Sequence, residues 1–384
     1  MRRLIVFAST LVFFDVAFYA AIAPLLPDYV DEFGLSHAEA GVLAAAYAAG
    51  TLLASLPAGL VATRLGPRRT VIGGLLLLGL SSVVFGFGET ILLLDLARFA
   101  QGVSGALIWS GALTWLITAT PPERRGSVIG TALGTAIAGA LIGPVIGSVA
   151  AEVGTEVVFG AVLGISIMLA AVAARLPEAG PPEWQPLSEV AATMLSRPIL
   201  TATAFVAVPS LMFGAVEVLV PLRIDDLGGG HVLIAGGFIA GAALEASLAP
   251  IAGRYSDQVG RRVPFVTGIG ICAVAMVGIG SAQALGPVLG ALIVGSLGAG
   301  ICFSPALTML SEMADSSNLH QGYAAGLSNM AWASGQTVGA LAGGGIASAA
   351  GYAVPSLAVA ALLVLTAGYA YRTLPPPQVR PAEG

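Results

Sequence analysis

A short basic turn occurs twice in this chain, and the two copies are 194 residues apart. The first copy contains Gly59, Arg64, Gly66, Arg68 and Arg69, and the second contains Gly253, Arg254, Asp257, Gly260, Arg261 and Arg262. The same offset relates four further pairs of residues: Pro27 and Pro221, His37 and His231, Ala112 and Ala306, and Thr114 and Thr308. Because one register holds over most of the chain, we predict that its 384 residues form two similar halves.

The composition predicts that these halves lie in a membrane. Hydrophobic residues make up 57% of the chain and charged residues only 10%, whereas about 25% of the residues in soluble domains are charged. Apolar stretches that can cross about 30 Å of hydrocarbon as helices lie at approximately 4–29, 38–63, 69–88, 91–117, 126–150, 156–176, 198–222, 232–253, 262–283, 286–311, 320–346 and 352–371. We therefore predict an all-α membrane protein with twelve transmembrane helices in two pseudo-symmetric bundles.

One long polar segment, residues 177–197, separates six spans from the other six. We predict an N-terminal bundle at 1–176, a cytoplasmic linker at 177–197, and a C-terminal bundle with a short tail at 198–384. Duplicated helix bundles related by an axis along the membrane normal are typical of alternating-access transporters, whose substrate binds between the repeats.

Arginine predicts the orientation, because it supplies all 16 basic residues of the chain. With the N-terminus in the cytoplasm, fourteen arginines lie on the cytoplasmic side, Arg223 lies outside and Arg98 lies within a span. The positive-inside rule favours this orientation, with both termini cytoplasmic and the protein in the inner membrane of the cell. A cleaved signal peptide is the alternative for the first span, but the repeat requires that span.

Three motifs resemble those of the major facilitator superfamily. The basic turn resembles its motif A, and Leu94 with Arg98-Phe-Ala-Gln101-Gly102 resembles its motif B. The run Gly130-x8-Gly139-x3-Gly143-Pro144-x2-Gly147 resembles motif C of the twelve-helix drug:proton antiporter branch. Asp15 ahead of Pro24 and Pro27, with Glu217 ahead of Pro221, is also similar to vesicular monoamine transporters and their bacterial multidrug relatives. The resemblance implies the major facilitator fold and proton-driven exchange.

Motif A departs from the family in the first half, where Thr63 replaces the usual Asp. The resemblance implies a cytoplasmic latch that holds the halves together, comprising Gly59, Arg64, Arg68, Arg69, Gly253, Asp257 and Arg261. Since the second copy retains its acid, we expect Asp257 with Arg261 to contribute a larger share of this latch.

The glycines of motif C also have a mechanical interpretation. Spacings of nine and four residues place Gly130, Gly139 and Gly143 close to one helix face, which lets a neighbouring helix approach. Pro144 removes a backbone donor and can bend this helix. The eleventh span repeats the spacing without the proline, at Gly326, Gly335, Gly339 and Gly343. Ordinary packing of small residues is the alternative for both stripes.

Ionisable residues inside the spans are the candidates for proton coupling and substrate binding, because each costs roughly 2.5–3.5 kcal/mol near the bilayer centre. We predict Asp15 near the midplane, Glu217 and Arg98 in the outer half, and Glu245 in the inner half. A carboxyl group in a low-dielectric cavity holds its proton tightly, and an approaching cation favours the charged form. Proton and cation then compete for one site, while Arg98 biases the conformational equilibrium. A paired structural role is the alternative for each residue.

Aromatic side chains near these acids could form apolar and cation–π surfaces. The predicted cavity residues are Phe14, Phe18, Tyr19, Tyr47, Trp109, Phe213 and Trp332.

The sequence favours a proton-coupled exporter of cationic or lipophilic small molecules. A transporter of a neutral metabolite such as a sugar is the alternative, although few Asn and Gln residues occur in the spans. No Walker sequence, metal cluster or nucleophile motif is present, which argues against an enzyme. We expect no cofactor, no metal and no nucleic acid, and we expect a monomer whose partners are protons, its substrate and the bilayer.

Overall fold

The computed structural model describes residues 2–120, 122–178, 187–317, 319 and 321–376, together with the side chains of most of them. The described chain forms fourteen helices: α1 (Arg2–Ala20), α2 (Ile22–Phe33), α3 (His37–Leu65), α4 (Pro67–Gly86), α5 (Ile91–Ala119), α6 (Pro122–Val153), α7 (Thr155–Arg175), α8 (Leu187–Met194), α9 (Arg197–Asp226), α10 (His231–Val259), α11 (Arg262–Ser281), α12 (Leu285–Ser316), α13 (Gln321–Ala350) and α14 (Ala353–Thr373).

Helices α1 and α2 together form the first span, which is interrupted at Ala21. Pro24 follows the interruption, and its missing N–H leaves the Ala20 carbonyl without its helical partner. Counting these two as one, eleven spans in the described chain have the length and hydropathy of transmembrane helices. The twelfth, α13, is rich in Gly, Ser and Gln and is therefore less apolar. The twelve-helix prediction is confirmed.

Equivalent helices pack in the same way in the two halves. In the first half α1 packs against α6, α3 against α5, and α4 against both α5 and α7. In the second half α9 packs against α13, α10 against α12, and α11 against both α12 and α14. Each half has its own apolar core, around Leu75 and Phe159 in the first and around Phe265 and Met276 in the second. The repeat in the sequence therefore corresponds to the same arrangement of packed helices in both halves.

The repeated basic turns have nearly the same backbone conformation. Gly66 ends α3 with φ 86° and ψ 153°, and Gly260 ends α10 with φ 90° and ψ 164°. A positive φ of this kind is readily adopted only by glycine. These glycines let each chain reverse sharply into the next span.

The two halves meet mainly through α3 with α13, α6 with α10 and α2 with α9. We call the end with the repeated basic turns the basic end, and the opposite end, which carries Asp28, Glu152 and Asp225, the acidic end. At the acidic end His231 contacts Glu152, and His37 contacts Tyr352. These contacts cross between the halves and close that end.

Candidate functional site

Asp15 lies at the centre of the first half, on α1, and its side chain is only 1% exposed. The Tyr47 hydroxyl on α3 lies 2.9 Å from both of its carboxyl oxygens. Trp109 Nε1 on α5 donates to Oδ2 at 3.0 Å. Three helices of one half therefore converge on a single carboxyl group, and both donors to it are uncharged.

Glu217 lies on α9, at the seam between the halves. The Tyr19 hydroxyl from α1 donates to its Oε2 at 2.8 Å. Gln336 Nε2 from α13 also donates to Oε2 and to the Tyr19 oxygen. Tyr19 and Gln336 cover this acid, which is 6% exposed and so slightly more accessible than Asp15.

Arg98 interacts electrostatically with both acids but forms no ion pair with the described residues. Its guanidinium donates to Gln101 Oε1 at 3.1 Å and to the Tyr19 carbonyl oxygen at 3.3 Å. Its Cζ atom is 5.2 Å from the Tyr47 ring centroid and 5.9 Å from that of Phe85. These are cation–π distances. The cation is thus held by neutral groups and is 1% exposed.

Two glycines of α5 bring Tyr47 close to Asp15. Gly102, the last residue of motif B, lies against the Tyr47 backbone, and Gly50 of α3 lies against the Phe99 backbone. A methyl group at Gly105 would collide with the Tyr47 hydroxyl and lie 3.0 Å from Asp15 Oδ1. Motif B therefore supplies both the buried cation and the close helix contact that aligns the carboxyl and its donor.

The antiporter motif packs α6 against the first span. Gly139 faces Phe13, Gly143 faces Ala17 and Ala20, and Gly147 faces Ala21. A methyl group at Gly143 would lie 2.7 Å from the Ala17 carbonyl oxygen. Pro144 is buried within the continuous helix α6. The side-chain position of Gly130 lies outside the described residues.

The second half repeats this contact between α13 and α9. Gly335 faces Ala207 and Leu211, Gly339 faces Leu211 and Ala215, and Gly343 faces Ala215. Residues 207, 211 and 215 are related to residues 13, 17 and 21 by the same offset of 194. Both stripes therefore pack against the helices that carry Asp15 and Glu217.

The structure divides the predicted cavity aromatics into three groups. Tyr19, Tyr47, Trp109 and Trp332 surround the acids, and the Tyr19 ring lies 4.8 Å from that of Tyr47 and 5.4 Å from that of Trp332. Phe14 and Phe18 instead pack in the core of the first half, where Phe18 contacts Phe159. Phe213 contacts Phe303 in the second half.

Glu245 is separate from this network. It lies on α10 and is partly exposed, and the backbone of α12 approaches it at Gly300. The structure describes no hydrogen bond or ion pair between its carboxyl and the described residues.

The contacts of the predicted latch stay close to their own half. Arg261 donates to Asp257 at 2.5 Å and to Glu312 at 2.7 Å, both in the second half. Arg68 donates to Glu178 at 3.0 Å, at the start of the linker segment. The Thr63 hydroxyl donates to the Leu60 carbonyl oxygen of its own helix. In the described part of the chain, these basic-end ion pairs do not join the two bundles. The structure describes no ion pair of Arg64 or Arg69 with the described residues. A methyl group at Gly59 would meet nothing within 4 Å, and one at Gly253 would lie 3.0 Å from Ser304 Oγ.

Sequence reasoning missed Gln336 and Gln101 as site residues. Gln101 holds Arg98 and donates to Ser82 Oγ at 3.1 Å. Gln336 is 3% exposed, and its Oε1 is buried without a partner among the described residues. Both are amide side chains within predicted membrane spans, and this feature of the sequence could have identified them.

Comparison with known proteins identifies the family. A sequence profile described as the Major Facilitator Superfamily matches residues 6–319 and 238–384. The solved structure of a bacterial homologue of the human lysosomal transporter Spinster, in an inward-facing and unoccupied conformation, superposes with a TM-score of 0.75. That match covers 97% of this chain and 96% of the other, at 13% identity, and it shows the shared fold alone.

Curated relatives match over shorter stretches. The MFS-type transporter ppzB of Metarhizium rileyi is 32% identical over 31% of this chain and 26% of its own length. Multidrug resistance protein 2 of Bacillus subtilis is 31% identical over 28% of this chain and 27% of its own length. Quinolone resistance protein NorA of Staphylococcus aureus is 28% identical over 28% of each. The matched stretches span only about a quarter of these relatives, but the profile covers most of the chain. The chain therefore belongs to the Major Facilitator Superfamily and is a multi-pass membrane protein, and these relatives are named as transporters or drug-resistance proteins and not as enzymes.

Proposed function

We propose that this protein is a proton-coupled antiporter that exports cationic or lipophilic small molecules by alternating access. It acts as a monomer in the inner membrane, with both termini and the 177–197 linker in the cytoplasm. One observation carries the proposal. Asp15 and Glu217 are buried on equivalent helices of the two halves, and no described ion pair neutralises either of them.

A charge held near mid-bilayer costs roughly 2.5–3.5 kcal/mol on the insertion scale. Either carboxyl group therefore gains from a bound proton or from a bound cation, and one group cannot hold both. Binding of a cationic substrate expels the proton, and protonation expels the substrate. This competition is sufficient for exchange across alternating states.

Arg98 strengthens the exclusion between the two ligands. Hydrogen bonds to Gln101 and to the Tyr19 carbonyl oxygen hold the guanidinium in place. The positive charge therefore stays beside the site when the carboxyl groups are protonated. In that state an uncompensated cation lies beside the site and repels a second one. Arg98 thus promotes release of the substrate once protons have bound.

The walls of the site suit a lipophilic cation. Tyr19, Tyr47, Trp109 and Trp332 present aromatic rings beside the acids, and such rings attract cations electrostatically. The names of two relatives, a multidrug resistance protein and a quinolone resistance protein, support the same substrate class.

Transport of a neutral metabolite is the second candidate, and one observation favours it. Gln336 brings an amide to the site, and its buried Oε1 could accept a hydrogen bond from a sugar hydroxyl. The two candidates differ in proton release. A neutral substrate leaves the carboxyl groups protonated, whereas a cation displaces their protons.

The test measures proton release from purified protein in a weakly buffered detergent solution with a pH-indicator dye. We expect tetraphenylphosphonium, a lipophilic cation, to release protons from the wild type and not from the Asp15→Asn/Glu217→Gln double variant. Glu89→Gln, which changes an exposed acid at the acidic end, is the matched control and should behave like the wild type. Equal release from the double variant and the wild type would exclude both acids as the coupling site. Sugar binding without proton release would favour the second candidate.

A further inference from the structure

Two of the chain's three histidines occupy equivalent places at the acidic end. His37 is the first residue of α3 and His231 is the first residue of α10, and the repeat offset of 194 relates them. Each histidine contacts the opposite half, near the connection between the fifth and sixth spans of that opposite half. His231 reaches the last turn of α6, and His37 reaches Tyr352 directly before α14.

The contact of His231 is an ion pair when the imidazole is protonated. Its Nε2 lies 2.8 Å from Glu152 Oε1, and the two side chains are 28% and 68% exposed. Ser148, one turn earlier on α6, donates to the His231 carbonyl oxygen at 3.3 Å. The first residue of α10 is therefore attached to α6 through both its side chain and its backbone.

The contact of His37 passes through a tyrosine. The Tyr352 hydroxyl donates to Asp226 Oδ2 at 2.7 Å, which uses its one hydrogen. Its oxygen lies 3.2 Å from His37 Nε2, so the imidazole is the donor in that contact. The His37 and Tyr352 rings are 5.2 Å apart, and Arg223 Cζ lies over the Tyr352 ring at 5.2 Å. Both histidines thus use an Nε2–H group to reach the other half.

The surroundings of both histidines are mainly acidic. Asp28 on α2 is electrostatically coupled to His231 and to Asp225 on α9. The titratable and charged groups at this end are Asp28, Tyr29, Asp31 and Glu32 (α2), Glu39 (α3), Glu89 and Asp95 (before and in the first turns of α5), Glu152 (α6), Glu156 (α7), Arg223, Asp225 and Asp226 (α9), and Tyr352 before α14. Like charges across the seam between α2 and α9 oppose closure, and a cation between them favours it.

We propose that His37 and His231 are a pair of proton-binding clasps that close the acidic end when they are protonated. A charged imidazole donates a stronger hydrogen bond than a neutral one, and imidazoles ordinarily titrate between pH 5 and 8. In the closed state each charged imidazole has an acceptor on the opposite half at 2.8 or 3.2 Å, which it lacks when the halves separate, so acid favours closure. On the proposed orientation this end faces outside, where a high proton concentration would return the transporter to the state closed to the outside.

The helix dipole does not reverse this direction. Its positive end at the first turns of α3 and α10 disfavours a cation there. Because both helices persist in the open and closed states, this effect is nearly equal in the two. The dipole therefore does not change the sign of the clasps' effect.

The test measures the width of the acidic end as a function of pH, and it needs no substrate. Spin labels at Glu89→Cys and Gln283→Cys, two exposed positions related by the repeat, report the distance between the halves by double electron–electron resonance. The native Cys272 and Cys302 are replaced by alanine, and the protein is reconstituted in lipid nanodiscs. Asp15→Asn and Glu217→Gln are present throughout, so titration of the central acids cannot cause the response.

We expect the ratio of closed to open molecules to rise roughly twofold to thirtyfold between pH 8 and pH 5.5, the range available when the exposed ion pair of His231 and the hydrogen bond from a charged His37 contribute equally. His37→Gln/His231→Gln should lose most of this response, and His320→Gln, which changes the third histidine, should retain it. The double variant Glu152→Gln/Tyr352→Phe removes the partners of the two histidines and leaves the histidines in place. It should lose the pH response to the same extent.

A response that persists in both double variants would overturn the proposal and assign the pH dependence to the acidic residues. A distance that does not change with pH in the starting protein would overturn it as well. Neither result depends on proton release at the central site, so failure here and failure of the proposed antiport are distinguishable.

Discussion

Replacing Gly143 with alanine tests whether the antiporter stripe fixes the position of the first span. The new methyl group would lie 2.7 Å from the Ala17 carbonyl oxygen and 2.5 Å from Ala20 Cβ, whereas ordinary contact begins near 3.4 Å. A helix backbone cannot rotate away from such a contact. We therefore expect α6 and α1 to separate by about 0.7–0.9 Å at this point.

The magnitude follows from known costs of overpacking. Forcing an extra methyl into a packed interface costs about 1–3 kcal/mol, and each kcal/mol lowers the Tm of a unit of 150–250 residues by about 2–4 °C. We expect the apparent Tm of the variant to fall by about 2–12 °C. The assay is loss of the monodisperse peak of detergent-purified protein after heating at one fixed rate, since the Tm of an irreversible transition depends on the scan rate.

Gly134→Ala is the matched control, because it lies on the same helix and a methyl group there would contact nothing within 4 Å. Alanine is also the better helix former by about 1 kcal/mol, so this variant should be at least as stable as the wild type. If Gly143→Ala were as stable as Gly134→Ala, the stripe would not set the distance between the helices and our reasoning would be wrong.

The same displacement should reduce transport. The first span carries Asp15, whose donors lie on α3 and α5 at 2.9–3.0 Å. A shift of about 0.7 Å is enough to lengthen such hydrogen bonds beyond 3.5 Å, the distance at which they cease to count as bonds. We expect Gly143→Ala to insert normally in the membrane and to exchange more slowly, while Gly134→Ala exchanges at the wild-type rate.

Three further predictions concern topology and the charged groups. Gly180→Cys and Gly230→Cys should differ in labelling by an impermeant maleimide on intact cells, with residue 230 labelled; equal labelling would contradict the proposed orientation. Glu178→Gln should lower the apparent Tm by less than about 4 °C, because exposed ion pairs contribute at most about 1 kcal/mol, and Arg261→Gln, which removes two carboxylate contacts, should lower it further. Glu245→Gln should leave proton release by tetraphenylphosphonium unchanged, and a loss equal to that of Asp15→Asn would add it to the site.

The fold could be predicted because two independent patterns in the sequence indicate it. Hydropathy predicts the spans, and the offset of 194 relates the halves. The structure repeats that offset at Gly66 and Gly260 in the basic turns and again at Ala17 and Leu211 beneath the glycine stripes. Only α13 has a weak hydropathy signal among the described spans, because it packs against both α3 and α9 and needs small residues on both sides.

The site could be predicted where an ionisable or aromatic residue stands out within an apolar span, as Asp15, Tyr47 and Trp109 do. Tyr19 lies four residues after Asp15 and shares its face, while Phe14 and Phe18 are four residues apart on an adjacent face, which packs against Phe159. Helix periodicity alone does not separate Phe18 from Tyr19, because positions three and four residues after Asp15 both lie near its face. Gln336 could not be assigned in this way, because its role depends on which residue of α13 lies opposite Tyr19, and that is set by packing between the halves.

The two acids differ in one respect that the repeat does not predict. Both donors to Asp15, Tyr47 and Trp109, belong to its own half, so a rigid rotation of the halves leaves its contacts unchanged. Glu217 instead accepts a hydrogen bond from Tyr19 in the opposite half, and the same rotation must break it. The environment of Glu217 therefore changes with the conformational state, whereas that of Asp15 does not.

Tyr19→Phe separates these roles. On our proposal it weakens the coupling between Glu217 and the opening of the seam, while the donors to Asp15 remain in place. Proton release on adding tetraphenylphosphonium to this variant should therefore persist through Asp15, and a complete loss of release would show that the two acids act as one site.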